Sequence, residues 1–382
     1  MEKSALTLSS AAACSIILLV THAATARAYA AEWSLLPLMM EGRAAADFSP
    51  DRDFRYLPRQ GDKGFFESID DLSALRRSPV REYICHYQTA GRQFLRGGVL
   101  RARRYMDVVD AVFEKHGDVP AGLKLLPLLE SGFNPHAVSR SNAVGPWQFM
   151  SGTARLLGLK NNSRVDERKS IHRSTEAALK HLQSLYRTFN SWELALAAYN
   201  GGAGYVKRAM QKSGAKDFWE LREKGALREE TSEYVPRFMA LSVLYNNPDL
   251  FMLDDITPVL TAKTRLVEFE YPADLRKIAA VSGVSLELLR AYNPEIRKNI
   301  TPPGSIKYSL LVPEEGLERL ARNMDRVYVM KLSRIATCRV KKGDTLGRIA
   351  RRYQVPAASI MLLNDLANPG RLRRGQEILI PQ

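Results

Sequence analysis

The chain has 382 residues, of which 45% are hydrophobic and 25% charged, and its formal net charge is +15. This composition fits a globular protein of roughly two or three domains. It excludes a collagen-like repeat, a wholly disordered chain and, with three cysteines, a disulfide-framework protein. The charge is uneven, because Lys331–Gln382 holds eleven Lys or Arg against three Asp or Glu. A basic surface of this kind favours acidic partners.

Residues 1–30 have the features of a secretory signal peptide. Ile16–Val20 is the most hydrophobic part, and Ala28-Tyr29-Ala30 matches the A-x-A type of cleavage site. The apolar stretch is too short and broken to span a bilayer well, although an uncleaved anchor is the alternative. Cys14 precedes the apolar residues instead of following them, so we expect no lipoprotein anchor. We therefore predict export to the periplasm or cell envelope.

Two helical regions follow in chain order. Residues 31–100 are rich in arginine, and aromatic residues recur at helical spacing from Pro79, so we predict a helical lead-in. Residues 101–255 predict a compact helical domain. Its segments are amphipathic with helical spacing or wholly apolar, and none shows the alternation of apolar and polar residues that is typical of a strand. Ser191–Tyr199 is nearly all apolar and predicts a buried helix, which Gly201-Gly202 ends.

The last third contains an internal repeat of about 45 residues. Leu275–Asn293 and Leu346–Asn364 share one spacing of Leu, Ile-Ala, Val and Asn, and each copy closes on a strand-like run that ends in proline. So many matched positions predict two copies of one small module. We place these modules at 262–320 and 337–382.

One carboxylate stands out in the helical domain, because a run of leucines and one proline leads directly to Glu130. A Ser, a Gly and an Asn-Pro turn signal follow it, which places Glu130 at the end of a buried helix. Burial raises the pKa of a carboxyl group. A carboxyl that stays protonated near neutral pH can act as a general acid. The alternative is a solvated or capping glutamate.

Other segments of the domain suit a sugar groove. Gly145–Met150 combines an aromatic ring, an amide and a thioether, Tyr199-Asn200 ends the apolar helix, and Glu230–Pro236 opens the next one. Aromatic faces stack on sugar rings, while amides and hydroxyls bond N-acetyl groups and ring hydroxyls.

In this order the segments resemble the soluble lytic transglycosylase domain. The matching motifs are Glu-Ser-x-Phe-Asn-Pro-x-Ala-x-Ser from Glu130, Gly-Pro-Trp-Gln-Phe-Met from Gly145, Ala-Ala-Tyr-Asn ending at Asn200, and Glu-Thr-x-x-Tyr-Val-Pro from Glu230. The final repeat, with Gly343-Asp344-Thr345-Leu346, resembles LysM modules. Over residues 80–382 the chain is similar to lytic murein transglycosylases of the D type, which join this domain to C-terminal LysM modules.

The resemblance implies a mainly α, lysozyme-like catalytic domain, followed by small α+β LysM modules of βααβ order. It implies a carbon–oxygen lyase that cleaves the β-1,4 bond between N-acetylmuramic acid and N-acetylglucosamine in peptidoglycan. Such an enzyme forms 1,6-anhydro ends without water and uses neither cofactor nor metal. The position of the single catalytic acid is matched by Glu130. The family's sugar subsites are matched by Ser139, Gln148, Met150, Tyr199, Asn200 and Tyr234. We expect LysM glycan binding at Gly343, Asp344, Thr345, Leu346 and Asn364.

The chain departs from the pattern in two places within the domains. Pro146 stands in the Gly-x-x-Gln motif where Leu is usual, so the backbone there is expected to differ. Tyr271–Asp274 replaces the Gly-Asp-Thr opening in the first module, so we expect that module to be structural and only weakly binding.

Two other functions stay open. The first is a muramidase or chitinase-type hydrolase. A hydrolase that inverts the anomeric configuration needs a second carboxylate to hold the attacking water. The candidates for that carboxylate are Asp166, Glu167, Glu176 and Glu230. A non-catalytic peptidoglycan-binding protein is the other alternative.

For partners, we expect peptidoglycan glycan strands, and contact of the basic tail with an anionic membrane or wall polymer. We expect no nucleic acid, and the chain is predicted to be a monomer. The six histidines lack metal-ligand spacing, so we predict no metal site.

Overall fold

The structure is a computed structural model that describes residues 77–246, 263–302, 307–331, 335–368, 370 and 372–382. The predicted signal peptide, its cleavage site and the lead-in up to residue 76 lie outside these residues. No helix in the described ranges is both long and apolar enough to cross a membrane.

Helices dominate residues 77–246, as the sequence predicts. They are α1 (Ser78–Gln88), α2 (Arg92–Glu114), α3 (Leu126–Ser131), α4 (Ser151–Leu156), α5 (Ile171–Phe189), α6 (Trp192–Gly201), α7 (Ala203–Ser213), α8 (Phe218–Glu223) and α9 (Glu229–Asn246). Two 3-10 turns, Ala121–Leu125 and Glu167–Lys169, lie between them. The predicted boundary between residues 100 and 101 falls inside α2, because Gly97-Gly98 does not interrupt that helix.

The described residues divide into two compact units. The first groups residues of Met1–Arg103 with Phe113–Asn134 and Ala178–Val259. Its central helix is α9, which packs on α1, α3 and α6. The apolar segment predicted to be a buried helix is α6, and its residues from Leu194 to Ala198 are buried. These helices bury the apolar surface that holds the unit together.

The second unit groups Arg104–Val112, Pro135–Ala177 and Leu260–Gln382. It contains both repeated modules. The first has β1 (Thr264–Phe269), α10 (Leu275–Ser282), α11 (Leu286–Tyr292) and β2 (Tyr308–Pro313), and the second has β3 (Ile335–Arg339), α14 (Leu346–Arg352), α15 (Ala357–Leu363) and β4 (Glu377–Pro381). In each module the two strands pair antiparallel, so the predicted βααβ order is confirmed.

The first module is larger than the predicted range 262–320. Two short helices, α12 (Leu317–Arg322) and α13 (Met324–Val327), pack on α10, so the first module continues beyond residue 320. Val165 also enters the module's apolar core and forms a β-bridge with Ile296. The core of the module therefore includes a residue from the 161–170 segment of the helical region.

The asparagine that recurs in the repeat has the same structural position in both modules. The Asn293 side chain accepts from the Leu311 N–H at 2.8 Å and donates to the Leu311 carbonyl at 2.8 Å. Asn364 makes the same pair with Leu379, at 2.8 and 2.7 Å. Each asparagine therefore ties the end of the second helix to the closing strand, which explains why the repeat retains it.

Candidate active site

Glu130 lies in the last turn of α3, where the chain reverses. Gly132 and Phe133 both have positive φ, at 58° and 56°. Their N–H groups donate to the carbonyls of Leu128 and Pro127, at 3.0 and 2.9 Å. This pattern ends a helix with a left-handed glycine. Glu130 is half-buried while the leucines before it are fully buried.

Helix α2 holds this turn from behind. Arg101 Nε donates to the Gly132 carbonyl at 2.6 Å. A Cβ on Gly98 would lie 2.4 Å from Leu128 Cδ1 and 3.3 Å from Gly132 Cα, so a larger residue there would displace the Leu128 side chain and crowd the turn. Local sequence patterns do not reveal this support, because the contact joins residues 31 positions apart.

Two tyrosines from later helices accompany Glu130. Tyr234 Oη, on α9, donates a hydrogen bond to Glu130 Oε1, and the Tyr234 side chain is buried. Tyr199, at the end of α6, is half-buried. Burial, and then the charge of Glu130, raise the pKa of both tyrosines well above the ordinary value. Both hydroxyls therefore stay protonated, and Tyr234 acts as a donor to the carboxylate.

The Glu130 carboxyl is tuned to titrate near neutrality. Burial raises its pKa to about 7. The hydrogen bond from Tyr234 lowers the pKa, the negative charge of Glu230 raises it, and the positive charge of Arg237 lowers it. A carboxyl in this state can donate a proton and later accept one at the same pH.

Asn200 belongs to a polar network in the same unit. Its amide donates to Glu230 Oε1 at 3.2 Å, and its carbonyl oxygen accepts from the Thr231 hydroxyl at 2.8 Å. Glu230 is exposed at the start of α9. The network fixes the end of α6 to the start of α9, the two helices that carry Tyr199 and Tyr234.

If Glu130 is the catalytic acid that the resemblance implies, the rate of peptidoglycan cleavage should fall as the pH rises through about 7, because only a protonated Glu130 can donate a proton. Tyr234→Phe should move this limb of the log kcat/KM profile to higher pH, since its hydrogen bond favours the ionised carboxyl. Glu230→Gln should move the limb to lower pH, since it removes a negative charge. Shifts in the same direction for the two variants, each with unchanged thermal unfolding, would contradict this account of Glu130.

The other predicted groove residues lie in the second unit, on a folded loop. Val144 bridges both Val138 and Phe149. The Ser139 Oγ accepts from the Ala143 N–H at 3.0 Å, and the Gln148 amide nitrogen donates to the Gly145 carbonyl at 2.7 Å. Met150, at the end of the loop, is 45% exposed. Ser139 and Gln148 thus shape the loop, and Met150 offers its side chain to solvent.

Pro146 fits this loop. The Gln148 N–H donates to the Gly145 carbonyl at 3.2 Å, which closes a four-residue turn with Pro146 at its second position. Proline is favoured there because its fixed φ suits the turn. Gly145 has a φ of 88°, and a Cβ at this position would lie 1.9 Å from the Arg168 carbonyl. Trp147 is fully buried and donates to Thr175 Oγ1 at 2.9 Å, so it is a core residue.

The four carboxylates considered for a hydrolase have distinct environments. Asp166 is buried and receives two hydrogen bonds from Arg168, at 2.8 and 2.9 Å. Glu167 is buried and accepts from the Lys160 N–H at 2.7 Å. Glu176 lies 3.7 Å from His172, one turn away on α5. Glu230 alone among the four acts electrostatically on Glu130. Asp166 and Glu167 therefore serve the fold.

In the first module, backbone hydrogen bonds close the loop that corresponds to the predicted glycan loop of the second. The Asp274 N–H donates to Val327 at 3.0 Å, and the Leu275 N–H donates to Asn299 at 2.8 Å. In the second module, the equivalent amides are those of Thr345 and Leu346, and no described residue accepts from them. The two modules thus differ in whether these two backbone N–H groups donate hydrogen bonds within the module.

Two of the predicted LysM contacts need correction. Asn364 is 1% exposed, and its amide is fully engaged with Ile360 and Leu379, so its side chain has no surface for glycan. Leu346 is buried in the module's apolar core. Gly343, with a φ of 83°, and Thr345, which caps α14, remain exposed in the loop.

The fold and site define a class: a helical domain with one acid at the end of a short helix, in a chain that also contains βααβ modules. Family models agree with this class. Residues 107–222 match the transglycosylase SLT domain, residues 263–329 match the LysM-like domain of lytic transglycosylase MltD, and residues 338–381 match the LysM domain.

Relatives extend the comparison. The chain is 31% identical over 306 residues to membrane-bound lytic murein transglycosylase D of Escherichia coli K12, covering 76% of this chain and 66% of that protein. It is 36% identical over 122 residues to membrane-bound lytic murein transglycosylase C of Edwardsiella ictaluri, covering 28% and 34%. The 70 kDa soluble lytic transglycosylase SLT70 of Escherichia coli aligns with a TM-score of 0.35 and 17% identity, over 63% and 47%. The chain spans 66% of the length of the D-type relative, and its matches are an SLT transglycosylase domain followed by two LysM-type modules.

Proposed function

We propose that this protein is a lytic transglycosylase of the cell envelope. It cleaves the β-1,4 bond between N-acetylmuramic acid and N-acetylglucosamine in peptidoglycan. The observation that carries the proposal is the Glu130 carboxyl, whose pKa lies at about 7 and which accepts a hydrogen bond from Tyr234. The name of the relative of the D type, a murein transglycosylase, agrees with this substrate.

The proposed reaction uses Glu130 twice. In its protonated form it donates to the glycosidic oxygen, and the bond from that oxygen to C1 of the muramoyl residue breaks. The N-acetyl oxygen of the muramoyl residue stabilises C1 through an oxazolinium-like species. Glu130, now ionised and held by Tyr234, takes the proton of the C6 hydroxyl. That hydroxyl attacks C1 and closes the 1,6-anhydro ring, so no water is consumed.

Counting reducing ends tests the proposal. A hydrolase creates one reducing muramoyl end for each bond that it cuts, whereas a lytic transglycosylase creates none. We expect the turbidity of a peptidoglycan suspension to fall while reducing ends stay constant. Reducing ends that rise with clearing would establish the hydrolase alternative, and unchanged turbidity would favour a non-catalytic binding protein.

We further propose that the second module carries the LysM binding site and that the first module is structural. The support is the loop at Asp274-Leu275, whose amides are bonded within the first module, and the open amides of Thr345 and Leu346. Fragment 335–382, which keeps the whole of β3, should therefore sediment with insoluble peptidoglycan. Fragment 262–329, once circular dichroism shows that it folds without Val165, should remain in solution. Binding should be repeated at about 1 M salt, where the Debye length is about 3 Å. Retention of 262–329 alone under these conditions would reverse this assignment.

A further inference from the structure

Six cations surround the open loop of the second module, and we name them the basic rim: Lys341, Lys342, Arg348, Arg352, Arg373 and Arg374. The Arg348 guanidinium donates to the Gly343 carbonyl at 2.8 Å. Gly375 and Gln376 pair with Val340 at 2.8 and 2.9 Å, which brings the turn that carries Arg373 and Arg374 beside Lys341. The rim therefore lies at one end of the module.

One carboxylate, that of Asp344, lies among the cations of the rim, and it already has two hydrogen-bond donors. Asp344 accepts from the Lys341 N–H at 2.9 Å and from Arg352 at 2.8 Å, and its side chain is only 7% exposed. The other cations are exposed. In the described part of the chain, no carboxylate forms an ion pair with the side chains of Lys341, Lys342, Arg373 or Arg374. The loop thus keeps a local excess of positive charge.

The first module lacks this arrangement. At the positions equivalent to Lys341, Lys342 and Arg352 it has Glu270, Tyr271 and Val281, while Lys277 keeps the charge of Arg348. Three of the six cations are therefore specific to the second module, and one of the three is replaced by an acid in the first. This difference in charge distinguishes the loop of the second module from the loop that backbone hydrogen bonds close.

We infer that the basic rim binds carboxylates carried by the glycan strand, so that the second module prefers peptidoglycan bearing acidic peptide stems to neutral N-acetylglucosamine polymers. Guanidinium groups pair with carboxylates in a two-pronged geometry, and ammonium groups add charge. An anionic lipid surface fits less well. Stable binding to membranes combines cations with an apolar anchor, and Leu346, the large apolar residue of the loop, is buried. The inference depends on the proposed function in one respect, which is that peptidoglycan is the binding partner.

The test is equilibrium binding of the full chain in the Glu130→Gln background, so that ligands are not cut. The ligands are peptidoglycan with its stems, the same glycan after enzymatic removal of the stems, chitin, and phosphatidylglycerol vesicles. The rim variant replaces Lys341, Lys342, Arg373 and Arg374 by Gln. The matched control replaces four exposed lysines of the first unit, Lys180, Lys207, Lys212 and Lys216, by Gln.

We expect the parent chain to bind stem-bearing glycan roughly 10-fold more tightly than chitin, which has no carboxylate, from several exposed ion pairs acting together. Stem-free glycan, which keeps one lactyl carboxylate on each muramoyl residue, should bind between the two. The rim variant should lose the preference over chitin and the control should keep it. Equal binding of the parent to stem-bearing glycan and chitin would overturn the inference. So would a rim variant that keeps the preference while losing vesicle binding, which would make the rim a membrane contact. Binding is read without turnover, so an inactive enzyme in the reducing-end assay would leave this result intact.

Discussion

Glu130→Gln should lower the rate of peptidoglycan cleavage by roughly 10²–10⁴-fold, the range typical for loss of a general acid–base group. Glutamine has the same shape but can neither donate nor accept the catalytic proton. The measurement is the rate of turbidity loss at pH 6, where wild-type Glu130 is mostly protonated if its pKa is about 7.

The fold should survive this change. A neutral side chain avoids the burial of charge that raises the pKa of Glu130, so unfolding at pH 8 should occur at a temperature no lower than in wild type. Glu223→Gln, at an exposed position that ends α8, is the matched control and should keep full activity. A Glu130→Gln protein that retains more than about a tenth of wild-type turnover would exclude Glu130 as the acid.

Asp166→Ala should destabilise the protein by about 3–5 kcal/mol, the cost of leaving a buried charge without its partner. Asp166 and Arg168 are both buried, and Arg297 lies 3.3 Å from the same carboxylate. Arg168 also donates to the Phe149 carbonyl and to Ser151 Oγ, so the pair supports the loop that carries Gln148. Urea unfolding of the full chain measures the loss. Glu176→Gln, in a half-exposed pair with His172, should change stability by about 0.5 kcal/mol or less.

The pH dependence of this contribution has a defined sign. Burial alone would raise the pKa of Asp166, but hydrogen bonds and charge from Arg168, with further charge from Arg297, lower it below the ordinary value. A lowered pKa in the folded state gives stability that is complete at neutral pH and lost as the pH falls through the carboxylate range. If Asp166→Asn instead abolished cleavage with unchanged unfolding, Asp166 would be the second carboxylate of a hydrolase.

The position of Glu130 was predictable because its signals are local. Leucines before it, glycine after it and an asparagine–proline turn all lie within a few residues, and they specify a buried helix that ends at the acid. The contact from Tyr234 joins residues 104 positions apart, and the support from Arg101 joins α2 to the turn that follows α3. Spacing along the chain carries no information on such pairs, so only the folded structure gives them.

The LysM loop shows the opposite case, where a motif match misled the prediction. Asn364 was expected to contact glycan, yet Asn293 has the same bonds in the module whose loop is closed. A residue that both copies use to join helix and strand cannot distinguish a binding module from a structural one. The two modules differ in whether two backbone N–H groups are hydrogen-bonded, and a sequence does not show this directly. Its one sign here is the replacement of Gly343-Asp344-Thr345 by Pro272-Ala273-Asp274.

Mass analysis of the products tests the central claim most directly. Peptidoglycan would be digested by the full chain in water enriched in the heavy oxygen isotope, and the released muropeptides weighed. We predict 1,6-anhydro products that are lighter than the hydrolysed form by one water and contain no heavy oxygen, because the C6 hydroxyl takes the place of water at C1. Products that gain one heavy-oxygen water for each cut would contradict the account and establish a hydrolase.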